Sequence, residues 1–238
     1  RELNLKLNLD KNRIADRRTL LTQLDNAGSE ETAYEQLDHY SRMAADMLLG
    51  SPVRDAYDLE KEDPKIRHMY GDHMGGQSLL LSRRLVEAGV PVVQTLLSAS
   101  DLAGGSGDNW DTHRNHFPKM KDRLLPVFDR SVSALLTDLE MRGMLEETLV
   151  VFLTDFGRTP KVNGNGGRDH YPNVYSLAYA GGGIQGGQVY GASNKKGTEP
   201  AAGACSPADI HATAFRAMGI DPRTELHDQL DRPFQLCD

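Results

Sequence analysis

Two patterns of apolar positions alternate along this chain: short unbroken runs, and longer stretches with apolar residues three and four apart. The clearest run is 149–153 (LVVFL), with 90–97 (VPVVQTLL) and 174–180 (VYSLAYA) as companions. Each is too short for a helix, so each predicts a strand, and the run 149–153 predicts one buried on both faces. Helical spacing is clearest in 117–142, where Leu124, Leu125, Phe128, Val132, Leu135, Leu136 and Leu139 share one side. Pro118 suits its start, Pro126 predicts a bend and Gly143 a stop. Shorter helices are predicted over 66–70, 77–88 and 207–218, the last with Ser206 as cap and Pro207 at its first position. Ahead of them, 1–10 alternates like a short strand. One helix then follows from Asp10 to about Leu24, and another runs from Ser29 to the breaker Gly50-Ser51-Pro52.

Strand, long helix and strand in succession predict an α/β fold with a mainly parallel sheet and helices on both faces. The segments 92–97, 149–153 and 174–180 are expected to be neighbours in that sheet. A length of 238 residues suffices for one such domain, so 1–238 reads as a single unit, with 1–71 as a largely helical entry region.

Composition mainly excludes. A net charge of −7 without a long basic run speaks against a nucleic-acid surface. No apolar stretch approaches the ~20 residues of a membrane-spanning helix. Cys205 and Cys237 are too few and too far apart in sequence to indicate a redox compartment. The chain opens on Arg1 with no signal peptide ahead of it, and reads as a fragment or a processed product.

The chemistry gathers in two glycine-rich loops, each following a predicted strand. After 149–153 come Thr154-Asp155 and then Arg158, Gly164, Gly166, Gly167, Arg168, Asp169 and His170, closed by Pro172. An acidic residue at the carboxyl end of a dry strand is where open α/β folds place their sites. The plain alternative is that Asp155 caps a turn. After 90–97 the loop holds Asp108, Asp111, His113 and His116 within nine residues, beside the single Trp110. Carboxylate and imidazole together suit a divalent ion such as zinc, whereas the asparagines Asn109, Asn163 and Asn165 also fit a structural calcium site. Neither loop completes a ligand shell alone, so Asp155 and His170 are expected to complete the one begun by Asp111 and His113. Arg158 or Arg168 offers a planar fork for an anion. His73 and His211 are read as structural.

The segment GMLEETLVVFLTDFG resembles the helix, turn and strand before the metal-binding aspartate of sulfatases and other alkaline-phosphatase-superfamily enzymes. NWDTHRNHF, LTDFGRTP, GNGGRDHYP, AGGGIQGGQVYGAS and SPADIHATAFRAMGID together resemble, in order, the family catalogued as domain of unknown function 1501. The resemblance covers most of 16–236. It implies an alkaline-phosphatase-type α/β fold with divalent metals at the carboxyl end of the sheet, and an extracytoplasmic setting. By position it implies metal ligation by Asp111, His113, Asp155 and His170. Phe156 stands where the superfamily usually has a histidine. The resemblance also implies that the amino-terminal half of the pattern, with its nucleophile, lies outside this chain.

These features together lead to a metal-dependent hydrolase acting on phosphate or sulfate esters, with zinc or calcium as cofactor. Its partner would be an anionic ester or a sulfated or phosphorylated polymer. The rival is a non-catalytic extracytoplasmic binding or scaffold protein that keeps the fold.

Overall fold

Proline, glycine and capping side chains set the helix boundaries of this protein, whose computed structural model describes residues 51–98 and 109–237. The strand and helices expected before residue 51, and Asp108, lie outside the described residues. The chain divides into two compact units, Arg1–Leu97 and Ser98–Asp238.

In the first unit, α1 (Ser51–Ala56) is helical where the sequence predicts a helix end. Proline is tolerated in a first turn because its missing N–H has no helical partner there. The helix α2 (Pro64–Tyr70) is capped by Asp63, whose carboxylate accepts the Lys65 N–H at 2.8 Å. Then α3 (Met74–Glu87) starts three residues earlier than its apolar spacing suggests, because His73 Nδ1 accepts the Gly76 N–H at 3.0 Å. His73 is therefore a helix cap. Leu79 and Leu80 of α3 are buried, as are Tyr70, Val53 and Ala56 on the helices it packs against. Buried Arg83 is neutralised by Glu62 at 2.6 Å and Glu87 at 2.5 Å. Beyond Gly89, the run 90–97 joins no ladder among the described residues, and Val92 is 70% exposed.

In the second unit, the predicted long helix is built in three pieces. α4 (His116–Lys119) passes through a π turn (Met120–Leu124) into α5 (Leu125–Met141). Pro126 supplies no N–H to the Asp122 carbonyl and its ring would crowd it; a widened turn just ahead accommodates both problems. Beside this turn lies an open groove of about 1030 Å³ lined by Phe117, Met120, Lys121, Leu125 and Phe128. The buried face of α5 is Ser131, Ala134, Leu135, Asp138 and Leu139. This spacing is helical as predicted, but two of its members are polar. Ser131 Oγ donates to the Val127 carbonyl at 2.7 Å and Asp138 Oδ1 accepts from Arg142 Nε at 2.8 Å. Gly143, at φ 68°, ends the helix in the left-handed region.

The strands that follow are β1 (Leu149–Phe152), β2 (Gly157–Arg158), β3 (His170–Tyr171) and β4 (Ala178–Gly181). β1 pairs with β4, Leu149 opposite Gly181 and Phe152 opposite Ala178, so two of the three predicted runs are direct partners. They run antiparallel, and no parallel pair occurs among the described residues. A parallel pair needs a crossover, usually helical. Here the intervening chain is the hairpin β2–β3, with Arg158 opposite His170. Two further antiparallel pairs, β5 (Ala192–Ser193) with β6 (Pro200–Ala202) and β7 (Glu225–His227) with β8 (Pro233–Gln235), flank α6 (Pro207–Ala217). Ser206 caps α6 with Pro207 in the first turn, as the sequence leads one to expect, and Asp209 completes a reciprocal capping box with it.

Candidate metal centre

The loop from Thr159 to Asp169 folds around one side chain. Asn163 Oδ1 accepts the N–H groups of Asn165 and Gly167 at 2.9 and 3.0 Å, while its Nδ2 donates to the His113 carbonyl at 3.1 Å and to Asp169 Oδ1 at 3.0 Å. The loop is also zipped to the earlier one. Arg114 and Gly166 form an antiparallel bridge, and the Arg168 N–H donates to the Thr112 carbonyl at 3.1 Å. A Cβ on Gly167 would lie 1.9 Å from the His113 carbonyl oxygen, so only glycine permits this approach.

That docking brings Asp111, His113 and His170 together across more than fifty residues of chain. Asp111 Oδ1 lies 2.8 Å from His170 Nε2 and 3.0 Å from His113 Nε2, and the two Nε2 atoms are 3.1 Å apart. The second nitrogen of His113 decides how this triangle can be held. Its Nδ1 lies 2.7 Å from Asp169 Oδ1, an atom that only accepts when ionised, so Nδ1 carries the hydrogen. A neutral His113 then aims a lone pair from Nε2 at a carboxylate oxygen and a second imidazole. A proton on His170 Nε2, donated to Asp111, satisfies that contact; with that proton displaced, a cation uses all three lone pairs at once. A tetrahedral ion with ligand distances of about 2.0–2.1 Å separates its ligands by about 3.3–3.4 Å, so the triangle needs to open by only a few tenths of an ångström. The residues fit a divalent ion.

The surroundings reinforce the cluster. Arg158 Nη2 donates to Asp111 Oδ1 and to the Trp110 carbonyl, both at 2.8 Å. The His170 hydrogen bond, then Arg158, hold the Asp111 carboxyl below the ordinary range, against a desolvation that opposes them. The Asp169 carboxyl is lowered chiefly by its bond to His113. Phe156 stacks on His170, with ring centroids 4.1 Å apart and planes 32° apart, which steadies that imidazole. Trp110 packs edge-on against Phe128, which meets Phe152 of β1 in the same way.

Of the four expected ligands, three converge and Asp155 does not. Its Oδ1 accepts the Phe156 N–H at 3.0 Å and the Thr154 hydroxyl at 3.4 Å, the turn-capping role that was the plain alternative. His116 is also apart: its Nδ1 pairs with Thr112 Oγ1 at 2.7 Å, and burial, then Arg168 and Arg158, lower its pKa. The asparagine reading changes too, since Asn163 is consumed in shaping the loop. Asp169 received no role from the sequence, although its place beside a ligand histidine was a usable signal.

A family profile described as "Protein of unknown function (DUF1501)" matches residues 1–238. The chain belongs to the DUF1501 family. No curated protein and no solved structure matches it. The family description assigns no activity, so the site of this DUF1501 chain has to be interpreted from its own geometry.

Proposed function

We propose that this chain is a divalent-metal hydrolase-like domain of the alkaline-phosphatase and sulfatase type, acting on phosphate or sulfate esters in an extracytoplasmic setting. One observation carries the reading: the Nε2 of His113, with its Nδ1 proton committed to Asp169, lies within 3.1 Å of both Asp111 Oδ1 and His170 Nε2. Two imidazoles and one carboxylate favour zinc over calcium, which prefers an all-oxygen shell. Three protein ligands are also the number catalytic zinc sites use, with a further position for water or substrate. A bound ion supplies Lewis acidity towards an ester oxygen and towards water. The chain's own residues hold and orient: Asp169 fixes the His113 ring, Phe156 steadies His170, and Arg158 balances the Asp111 charge. The fold that goes with this reading is α/β with a mainly parallel sheet, in which the antiparallel pair β1–β4 would form part of a mixed sheet.

The non-catalytic rival has its own observation. Thr112 is buried, its Oγ1 against His116, and Thr159 Oγ1 donates to the Lys161 carbonyl and accepts the Asp169 N–H, so neither hydroxyl is presented to a ligand. Elemental analysis of the purified protein, followed by a panel of phosphate and sulfate esters, separates the readings. Stoichiometric zinc with ester turnover supports the hydrolase, and metal without turnover supports the binding protein. Absence of any divalent metal after incubation with zinc overturns the centre itself.

A further inference from the structure

The two arginines expected to hold an anion have different fates. Arg158 is spent on Asp111 and on the Trp110 and Arg168 carbonyls. Arg168 is not: among the described residues no hydrogen bond reaches its guanidinium, and its Nε is closed off from water without an acceptor. The group lies over the Phe117 ring, with Cζ 5.4 Å from the centroid. Phe117 is itself 55% exposed and forms a wall of the groove beside the π turn. A donor fork that is partly desolvated, stacked on one face and unpaired along its edge is organised to receive an oxyanion, since guanidinium matches such groups through two parallel bonds.

We infer that Arg168, backed by Phe117, forms an oxyanion subsite beside the metal centre, taking a sulfate or phosphate group of the ligand other than the one presented to the metal. Three placements support this. The backbone of Arg168 is anchored at the site by Thr112, while its side chain turns to Phe117 on α4. Its charge acts on His116, which is not one of the clustered residues. Only Asp169 stands between it and His170 along the chain, two steps of about 7 Å in extended backbone, a span that one ligand with two anionic groups can bridge. The carbon frame of that ligand would lie against Phe117 and the groove. The second group rests on the metal reading above; the anion subsite itself does not.

The test titrates inorganic phosphate and, separately, sulfate into chelator-treated protein by calorimetry at low ionic strength, for the parent, Arg168→Gln, Arg168→Lys and Phe117→Ala. Zinc binding is measured on each in parallel. Arg168 contributes its backbone N–H and carbonyl to the fold, which glutamine retains, and Phe117 is exposed, so at least one variant tests the idea in folded protein. The expected result is anion binding by the metal-free parent, weakened at least about tenfold in Arg168→Gln and less in Arg168→Lys, with zinc affinity unchanged. Phe117→Ala should weaken the anion too. Unchanged anion affinity in Arg168→Gln overturns the subsite, as does anion binding by the parent that disappears with the chelator. Arg168-dependent anion binding in a protein that never takes up zinc supports the subsite and overturns the metal centre.

Discussion

Asp169 Oδ1 and His113 Nδ1 are 2.7 Å apart, and this contact fixes which nitrogen of His113 faces Asp111 and His170. A carboxylate behind a ligand histidine orients the ring and raises its basicity. Asp169→Ala should therefore lower zinc affinity by about 10–100-fold, with Asp169→Asn, which keeps an acceptor, falling in between. Competition with a chromogenic chelator measures this, and equal affinities in all three proteins would remove Asp169 from the site.

Gly167 tests whether loop docking builds the cluster. Alanine there places Cβ against the His113 carbonyl, and backbone atoms cannot step aside as a flexible side chain can. Gly167→Ala should cost about 1–3 kcal/mol of stability, the range for overpacking, and zinc affinity should fall with it. Gly164→Ala in the same loop, where a Cβ meets nothing within 4 Å, is the control. Similar unfolding midpoints for the two variants would show that the loops do not rely on this contact.

The ligand set can be settled by comparing two aspartates. Asp111 sits within 3.0 Å of both histidine nitrogens, whereas the Asp155 carboxylate turns back to its own loop. Asp111→Ala should abolish stoichiometric zinc in elemental analysis, and Asp155→Ala should retain it. Loss of metal in both would mean that Asp155 moves to the ion on binding, restoring the four-ligand set expected from the sequence.

What the sequence revealed was local. The Ser206 cap with Pro207 behind it and the Gly143 stop each depend on a few consecutive residues, and each is found where the sequence placed it. The partnership of 149–152 with 178–181 follows from two apolar runs, but its direction depends on the connection between them, which neither run encodes. The site divides in the same way. Asp, His and Arg were recognisable as chemistry, yet the role of Asp169 depends on a contact fifty-six residues away in sequence. Asp155 misled because a carboxylate after an apolar strand can also cap its own turn.

Acid should act on His116 before it acts on the carboxylates. Burial, then the charges of Arg168 and Arg158, disfavour the protonated ring, so its folded pKa lies below the ordinary 6.5. Stability is then complete above pH 6.5 and declines as the pH falls through the unfolded value towards the folded one. The lowered pKa values of Asp111 and Asp169 act in the same direction, but only as the pH drops below their ordinary 3.8. In metal-free protein, His116→Gln should flatten the decline between pH 7 and 5, about the imidazole range, in urea midpoints. An unaltered slope would assign the decline to other groups.

Ester turnover by this chain should be weak even with zinc in place. Covalent esterase chemistry needs an activated nucleophile as well as a Lewis acid, and groups that act as a unit lose most of their effect when one is missing. Thr112 is buried and tied to His116, and Thr159 is tied to Lys161 and Asp169, so freeing either breaks contacts that shape the site. What remains is water activated at the centre, aided by the positive field of Arg158 and Arg168. Hydrolysis of p-nitrophenyl phosphate and p-nitrophenyl sulfate, measured with zinc, manganese and calcium in turn, should show slow, zinc-dependent turnover that disappears in Asp111→Ala and survives Thr112→Val in any variant that stays folded. Fast turnover abolished by Thr112→Val or Thr159→Val would identify a hydroxyl nucleophile and contradict this expectation. Stoichiometric zinc with no turnover on either ester would move the assignment to the binding protein.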